Sequence, residues 1–465
     1  MRHRWSLVTA LMLIGAARAA RADGAFPDSL QILLPADRPN EIGLATNFGV
    51  ILSEDAGQKW QWVCEVEELQ YAVLYQVGPS PLNRFFAASI HGVVSSDDLA
   101  CTWTVAGGLF AGSVSRDVFP DPSDPDHVLA IALPIQGQAV FESTNGGLTF
   151  DRVLHQAGPQ ETPVGVEIAA SDPRAIYVVG YSGPGVRPYL MRTFDGAATW
   201  ETVDLQPELG SAFVRIIAVD RNNPRRIYLR NQATSYEELV ISDDGGTTLA
   251  RPVRIMGQLG GFAVLPSGTI VVGGVATVGT AKTGAAFRSR DGGLTFEPWP
   301  NPPRVRALAH RDGRLFVAGD NFNDGFALAV STDEGTTLTP ILRYEDVSGV
   351  KPCVHAACGT ACEYEASITL WPSSVCDAAA AGGDDAGLSD AGVRDAGPMD
   401  AGTTEAGRPD AGMAGDVGGS DRPGVPSAGG CGCATGGLDL GPPAWVIAAF
   451  ALASRRLRRC GGRKR

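Results

Sequence analysis

Charge is scarce in this chain, and positive charge is the scarcer kind. Only 19% of the 465 residues are Asp, Glu, Lys or Arg, and 38 basic residues face 51 acidic ones, for a net charge of −13. Phosphate recognition needs Lys and Arg gathered on one surface, and the one dense basic run is confined to residues 455–465, so the composition argues against nucleic acid as a partner. Long apolar runs are missing too. Residues 7–17 and 444–453 are the two candidates, and both fall short of the roughly 20 residues that a membrane-spanning helix requires. Glycine, at 58 residues, is what the chain has in excess, as suits a β-rich protein with many turns.

Those turns are not random. An eight-residue frame, Ser/Thr-x-Asp-x-Gly-x-Thr-aromatic, is clearest at Ser289-Arg-Asp291-Gly-Gly293-Leu-Thr295-Phe296. It recurs at residues 53–60, 96–103, 143–150, 193–200, 242–249 and 331–338, seven copies spaced 42–50 residues apart. Hydroxyl and carboxylate at the first and third positions can satisfy N–H groups of their own tight turn. Glycine at the fifth supplies positive φ at no steric cost. The carboxylates Asp55, Asp98, Asp195, Asp244, Asp291 and Asp333, with Asn145 in the third copy, are therefore read as structural. No bidentate Glu follows at the spacing of a calcium loop. The second copy carries Ala100 in place of glycine, so its turn is expected to be distorted.

Between the frames lie short β-branched and apolar runs bounded by Gly, Pro and Asp, which are strand signals. In the fourth repeat they fall at residues 164–169, 175–179 and 189–200; in the fifth, at 213–219, 226–229 and 238–249. Four strands per repeat and seven repeats give an all-β fold, a seven-bladed β-propeller of four-stranded antiparallel blades over residues 25–345. First and last repeats are complete in chain order, so a strand-swapped closure is not expected.

The frame resembles the Asp-box (BNR) repeat of sialidases, sortilin-type receptors and xyloglucanases, over roughly residues 29–345. The resemblance implies a propeller, and two functional classes share it. A glycosidase of this type needs paired carboxylates across the sugar; sialidases add a Phe-Arg-Ile-Pro motif, of which Phe213-Val-Arg-Ile216 is only a loose echo. The expectation is a non-catalytic propeller that binds a protein or glycan, with a secreted glycoside hydrolase as the alternative. No cofactor or metal is called for. The candidate ligand face is the loop face around the channel, with Tyr181, Arg187, Tyr236, Lys282, Asn321 and Asn323 as its side chains.

Residues 1–22 read as a secretory signal: a positive start, a short apolar run and small-x-small cleavage sites. In an exported chain, Cys64 and Cys101 are expected to pair. Cys353, Cys358, Cys362 and Cys376, in the Cys-rich stretch 346–377, are expected to form two disulfides of unread connectivity. With His355 nearby, a zinc site is the other reading of that cluster. Residues 367–371 are expected to be a strand stapled to the propeller rim. Residues 378–430 repeat Asp-Ala-Gly every five residues, with no aromatics, and are expected to be a disordered spacer. Residues 431–465 run from Cys431-Gly-Cys433 through a short apolar helix to an Arg cluster. They resemble the myxobacterial carboxy-terminal sorting signal (MYXO-CTERM), which implies a sorting protease, processing or lipidation at Cys431 or Cys433, and anchoring at the cell surface or outer membrane.

Overall fold

The computed structural model describes residues 27–72, 74–135 and 137–377. The signal, the spacer and the sorting segment with Cys431 and Cys433 lie outside the described residues. Seven antiparallel four-stranded sheets succeed one another along the chain. Blade 1 is Ser29–Leu33, Ile42–Thr46, Gly49–Ser53 and Gln61–Cys64. Blade 5 is Phe213–Val219, Ile227–Gln232, Glu237–Ser242 and Ala250–Ile255. Blade 7 is Ala307–Arg311, Arg314–Ala318, Leu328–Ser331 and Thr339–Leu342. In every blade the first strand is innermost, and blade 7 packs back on blade 1 through the two inner strands. This is a seven-bladed β-propeller.

The alternation of side chains along a strand sends neighbours to opposite faces of the sheet, and here each face belongs to a different seam. In blade 3, Val128, Ala130 and Ala132 join a cluster with Phe86 and Phe110 of the blade 2 side. The intervening Leu129 and Ile131 join Val166, Ile176 and Tyr189 of blade 4. All five are fully buried. The core is therefore not one mass but a set of slices between blades, which is why strands such as Val128–Ala132 read as continuous apolar runs rather than alternating ones.

Blades are contiguous in sequence, so no strand is swapped to close the ring. Blade 7 closes directly on blade 1, and the extension beyond blade 7 reinforces that seam. Gly349–Val350 adds a fifth strand, parallel to Gln61–Cys64, on the outer edge of blade 1. Disulfides join Cys64 to Cys358 and Cys101 to Cys353, and Cys362 to Cys376 within the extension. The expected Cys64–Cys101 bond is thus overturned. The two cysteines sit on neighbouring blades, but the extension runs across both and takes each one. The two disulfides expected among the four C-terminal cysteines are corrected to one, Cys362–Cys376, because Cys353 and Cys358 are spent on the blades, and the four do not gather round a metal. The expected strand at 367–371 is also corrected: His355–Ser367 is an α-helix, and the turn after it places Trp371 against Phe48 and Trp62.

Further bonds stitch the same seam. The Arg311 guanidinium, 7% exposed, donates to the carbonyls of Pro35, Arg38, Pro39 and Glu41 in blade 1 at 2.7–3.1 Å. The Trp60 indole donates to Ile341 O at 2.9 Å, and the Ser29 and Tyr344 hydroxyls meet at 2.9 Å.

Candidate functional site

The seven frames form one repeated corner between the third and fourth strand of each blade. In every copy the first hydroxyl donates to the third-position side chain: Ser53 to Asp55, Ser96 to Asp98, Ser143 to Asn145, Thr193 to Asp195, Ser242 to Asp244, Ser289 to Asp291 and Ser331 to Asp333, all at 2.7–2.9 Å. The same hydroxyl accepts the N–H of the fifth residue, and the third-position Oδ1 accepts the N–H of the seventh, as at Gly246 and Thr248. With three or four donors each, these carboxylates are held in the charged form. Bonds from Thr199 push Asp195 down to about 2, and bonds from Thr337 with Ser331 do the same to Asp333. A group so committed is no general acid. The expected distortion at Ala100 does not occur: Ala100 N still reaches Ser96 Oγ at 2.9 Å, because Leu99 and Ala100 accept φ of 54° and 66°.

The corners do more than turn the chain. A Cβ on Gly246 would stand 2.2 Å from Leu190 of the preceding blade, so this glycine gives both positive φ and close approach. Arginines of one blade donate to corner carbonyls of the next: Arg192 to Asp244 and Gly245, Arg288 to Glu334, and Arg84 to Gly146, with Arg226 reaching Gly292. Lys351, from the extension, does this for blade 2 at Leu99 O (3.1 Å). Reading the sequence missed these cations. A signal was present: Arg192 and Arg288 both stand immediately before their frame, and Arg84 and Arg226 immediately before a second strand.

The opposite end of the ring carries the turns between second and third strands and the links to the next blade. There the structure places Tyr181, Arg187, Tyr236, Lys282, Asn321 and Asn323, on four consecutive blades. Each has its own local partners. Arg187 pairs with Asp204 (3.2 Å), and Tyr236 lies under Arg254 (4.1 Å). Asn321 is buried and accepts Tyr344 N, while Asn323 is exposed and donates to Asp320. Tyr181 is half-buried, edge-on to Phe213, and Lys282 is exposed. The same end of the ring also exposes apolar side chains: Tyr71, Ile90, Ile135, Met256, Val278 and Phe322.

Inside the ring, side chains of one inner strand satisfy edge N–H groups of the next. Asp117 accepts Val166 N (2.7 Å) and Val118 N (2.9 Å), and Glu167 accepts Val219 N. Burial raises Asp117 to about 7 despite these bonds and the nearby Arg215, and burial together with Asp117 raises Glu167 to about 8.

Around the ring, inner strands of neighbouring blades approach one another closely at six seams. At the seventh, between Phe213–Val219 of blade 5 and Gly257–Val264 of blade 6, they stand apart. Glycine explains the asymmetry. A Cβ on Gly260 would lie 2.1 Å from Val305 O and one on Gly261 2.7 Å from Leu308 N. The pair lets blade 6 lean onto blade 7 and away from blade 5. The central channel, walled by inner strands of blades 1, 2, 5, 6 and 7, extends into this seam; the combined space is about 830 Å3 and reaches Arg221, Asn222, Gly268 and His310 at the corner end. The seam's two ends are clasped, by Leu259 N on Glu237 (2.7 Å) and by Arg226 on Gly292 O.

No family model matches the chain, and no curated protein matches it. Solved propellers are similar to it. A GH74 enzyme of Niastella koreensis is 15% identical, covering 67% of this chain and 65% of its own, with a TM-score of 0.40. The GH74 xyloglucanase of Xanthomonas campestris is 13% identical, covering 66% and 57%, with a TM-score of 0.35. YCF48 of Cyanidioschyzon merolae is 16% identical, covering 62% and 92%, with a TM-score of 0.43. The chain thus spans less than two thirds of the length of either GH74 enzyme.

Proposed function

We propose that the protein is a non-catalytic binding propeller, exported and held at the cell surface through residues 431–465, whose loop end takes a protein or glycan ligand. One observation carries the reading: six large apolar side chains, Tyr71, Ile90, Ile135, Met256, Val278 and Phe322, are exposed on a single end, interleaved with Arg187, Lys282 and Asn323. Single exposed apolar groups are ordinary; a set of them sharing one end with polar neighbours is the composition of a recognition surface. The full chain, probed on glycan and surface-protein arrays, should bind a ligand that is lost when Ile135 and Val278 are changed to Asp. Binding unaffected by those changes rules the face out. Deleting residues 431–465 should release the protein into the medium; unchanged surface retention defeats the anchoring part.

The hydrolase alternative has one pair of residues in its favour. Asp117 and Glu167 are carboxyls of raised proton affinity on adjacent inner strands, the condition of a general acid. Both are engaged by backbone N–H groups of a neighbouring blade, which favours a structural role. Turnover of a β-glucan or sialoside that disappears in Glu167→Gln would establish the alternative.

A further inference from the structure

We infer that the open seam between blades 5 and 6 is a second ligand site, which takes an amphipathic carboxylate: a compact aromatic or aliphatic body with one carboxylate at its end. This site is independent of the loop face proposed above, since it opens at the other end of the ring.

The seam is the side recess of a space that, with the adjoining channel, measures about 830 Å3 and lies within the size range of small-molecule sites. Its walls are apolar where the seam parts: Ile217, Ala218, Phe262, Val264 and Ile270. Phe262, Val264, Ile217 and Ala218 are only partly buried, although they belong to the inner strands of two adjacent blades. Inner strands elsewhere in the ring also show partly buried apolar groups, Leu30, Ile32 and Val77 among them, where they face the channel. What is particular to this seam is that its two inner strands part, as the Gly260-Gly261 lean allows.

The mouth is cationic. Arg221 is exposed and makes no ion pair among the described residues. It stands near His310, whose proton affinity is lowered by burial and then by the Arg221 charge. The one carboxylate in the lining, Asp220, is occupied: its Oδ1 accepts Asn222 N (2.9 Å) and Asn223 N (3.1 Å), and its Oδ2 faces the Tyr228 hydroxyl at 3.3 Å. Arg226 is spent on Asp243 and on Gly292 O. Arg221 is thus the cation with a charge still to be matched, at the lip of an apolar space. A ligand that matched the cavity without an anion would leave that charge unanswered, and an anion without an apolar body would leave the walls wet.

The test is calorimetric titration of the full chain with 4-phenylbutyrate, indole-3-propionate and octanoate, each beside its neutral amide. Saturable binding is expected for at least one carboxylate, with its amide at least about tenfold weaker. Arg221→Ala should weaken the carboxylate by about tenfold and leave the amide unchanged. Ala218→Phe should fill the seam and abolish binding of both. Arg221→Glu, a surface change that does not touch the fold, should remove carboxylate binding even if Ala218→Phe fails to fold. No saturable binding of any of the three, equal affinity for acid and amide, or binding that survives Arg221→Glu overturns the site.

Discussion

Two seams of this ring contrast. Between blades 7 and 1 the contact is tied many times over: a guanidinium on four carbonyls, an indole N–H, a paired hydroxyl, an added parallel strand and two disulfides. Between blades 5 and 6 the inner strands part, and the seam is held by an apolar cluster farther out, with Ile241 and Val253 against Ile270 and Val272, and by two polar clasps. Covalent continuity accounts for the difference. Blades 5 and 6 are joined by the chain itself, from Ile255 to Gly257, so a gap there costs packing but not closure. Blades 7 and 1 have no such link, and every bond across them must be supplied by side chains or by the extension.

The largest blow to that contrast is removal of its covalent side. Cys64→Ser with Cys358→Ser should cost about 3–5 kcal/mol, since the bond closes a loop of 294 residues. Denaturant unfolding reads this, and a loss under about 1 kcal/mol would show that non-covalent bonds suffice. Arg311→Ala comes next. It leaves four carbonyls unmet in a buried site and should lower stability by about 2–4 kcal/mol, whereas Arg226→Ala at the open seam should cost about 1 kcal/mol. Equal costs would erase the distinction between the seams. Gly261→Ala forces blade 6 off blade 7 and should cost about 1–3 kcal/mol by differential scanning calorimetry.

Titration offers a subtler probe. Asp117 and Glu167 are raised in the fold, to about 7 and about 8, so they favour the protonated folded state. Their contribution is greatest at acid pH and is lost as pH rises from about 4 through about 8. The corner carboxylates act in the opposite sense: Asp195 and Asp333, lowered to about 2, stabilise above about pH 4 and lose this as pH falls toward about 2. Chemical denaturation between about pH 5 and 9 should show declining stability that Glu167→Gln flattens. Smallest of all, Ala100→Gly should stabilise by about 0.5–1 kcal/mol, because it relieves a left-handed alanine.

Blade number and strand order were legible because the corner frame is local. Each uses residues within eight positions of one another, and the same hydroxyl, carboxylate and threonine recur in all but details such as Lys59 and Asn145. The disulfide pairing was not legible, because Cys64 and Cys101 meet partners 294 and 252 residues away. Nothing near either cysteine announces the extension that passes over both. The helix at His355–Ser367 was likewise hidden by its short, cysteine-rich sequence. The proposed loop-end residues fall at turns between second and third strands on four blades, each with its own local partners. The open seam escaped notice for a different reason: Gly260-Gly261 looks like any strand glycine until Val305 and Leu308 are seen beside it.

The added strand has a consequence for how the molecule is made. Synthesis proceeds from the first residue onward, so blade 1 is finished while its outermost backbone edge has no companion. That companion, Gly349–Val350, and the partners of Cys64 and Cys101, Cys358 and Cys353, emerge only after six more blades. Until then that border has no companion strand, and neither blade-spanning disulfide can form.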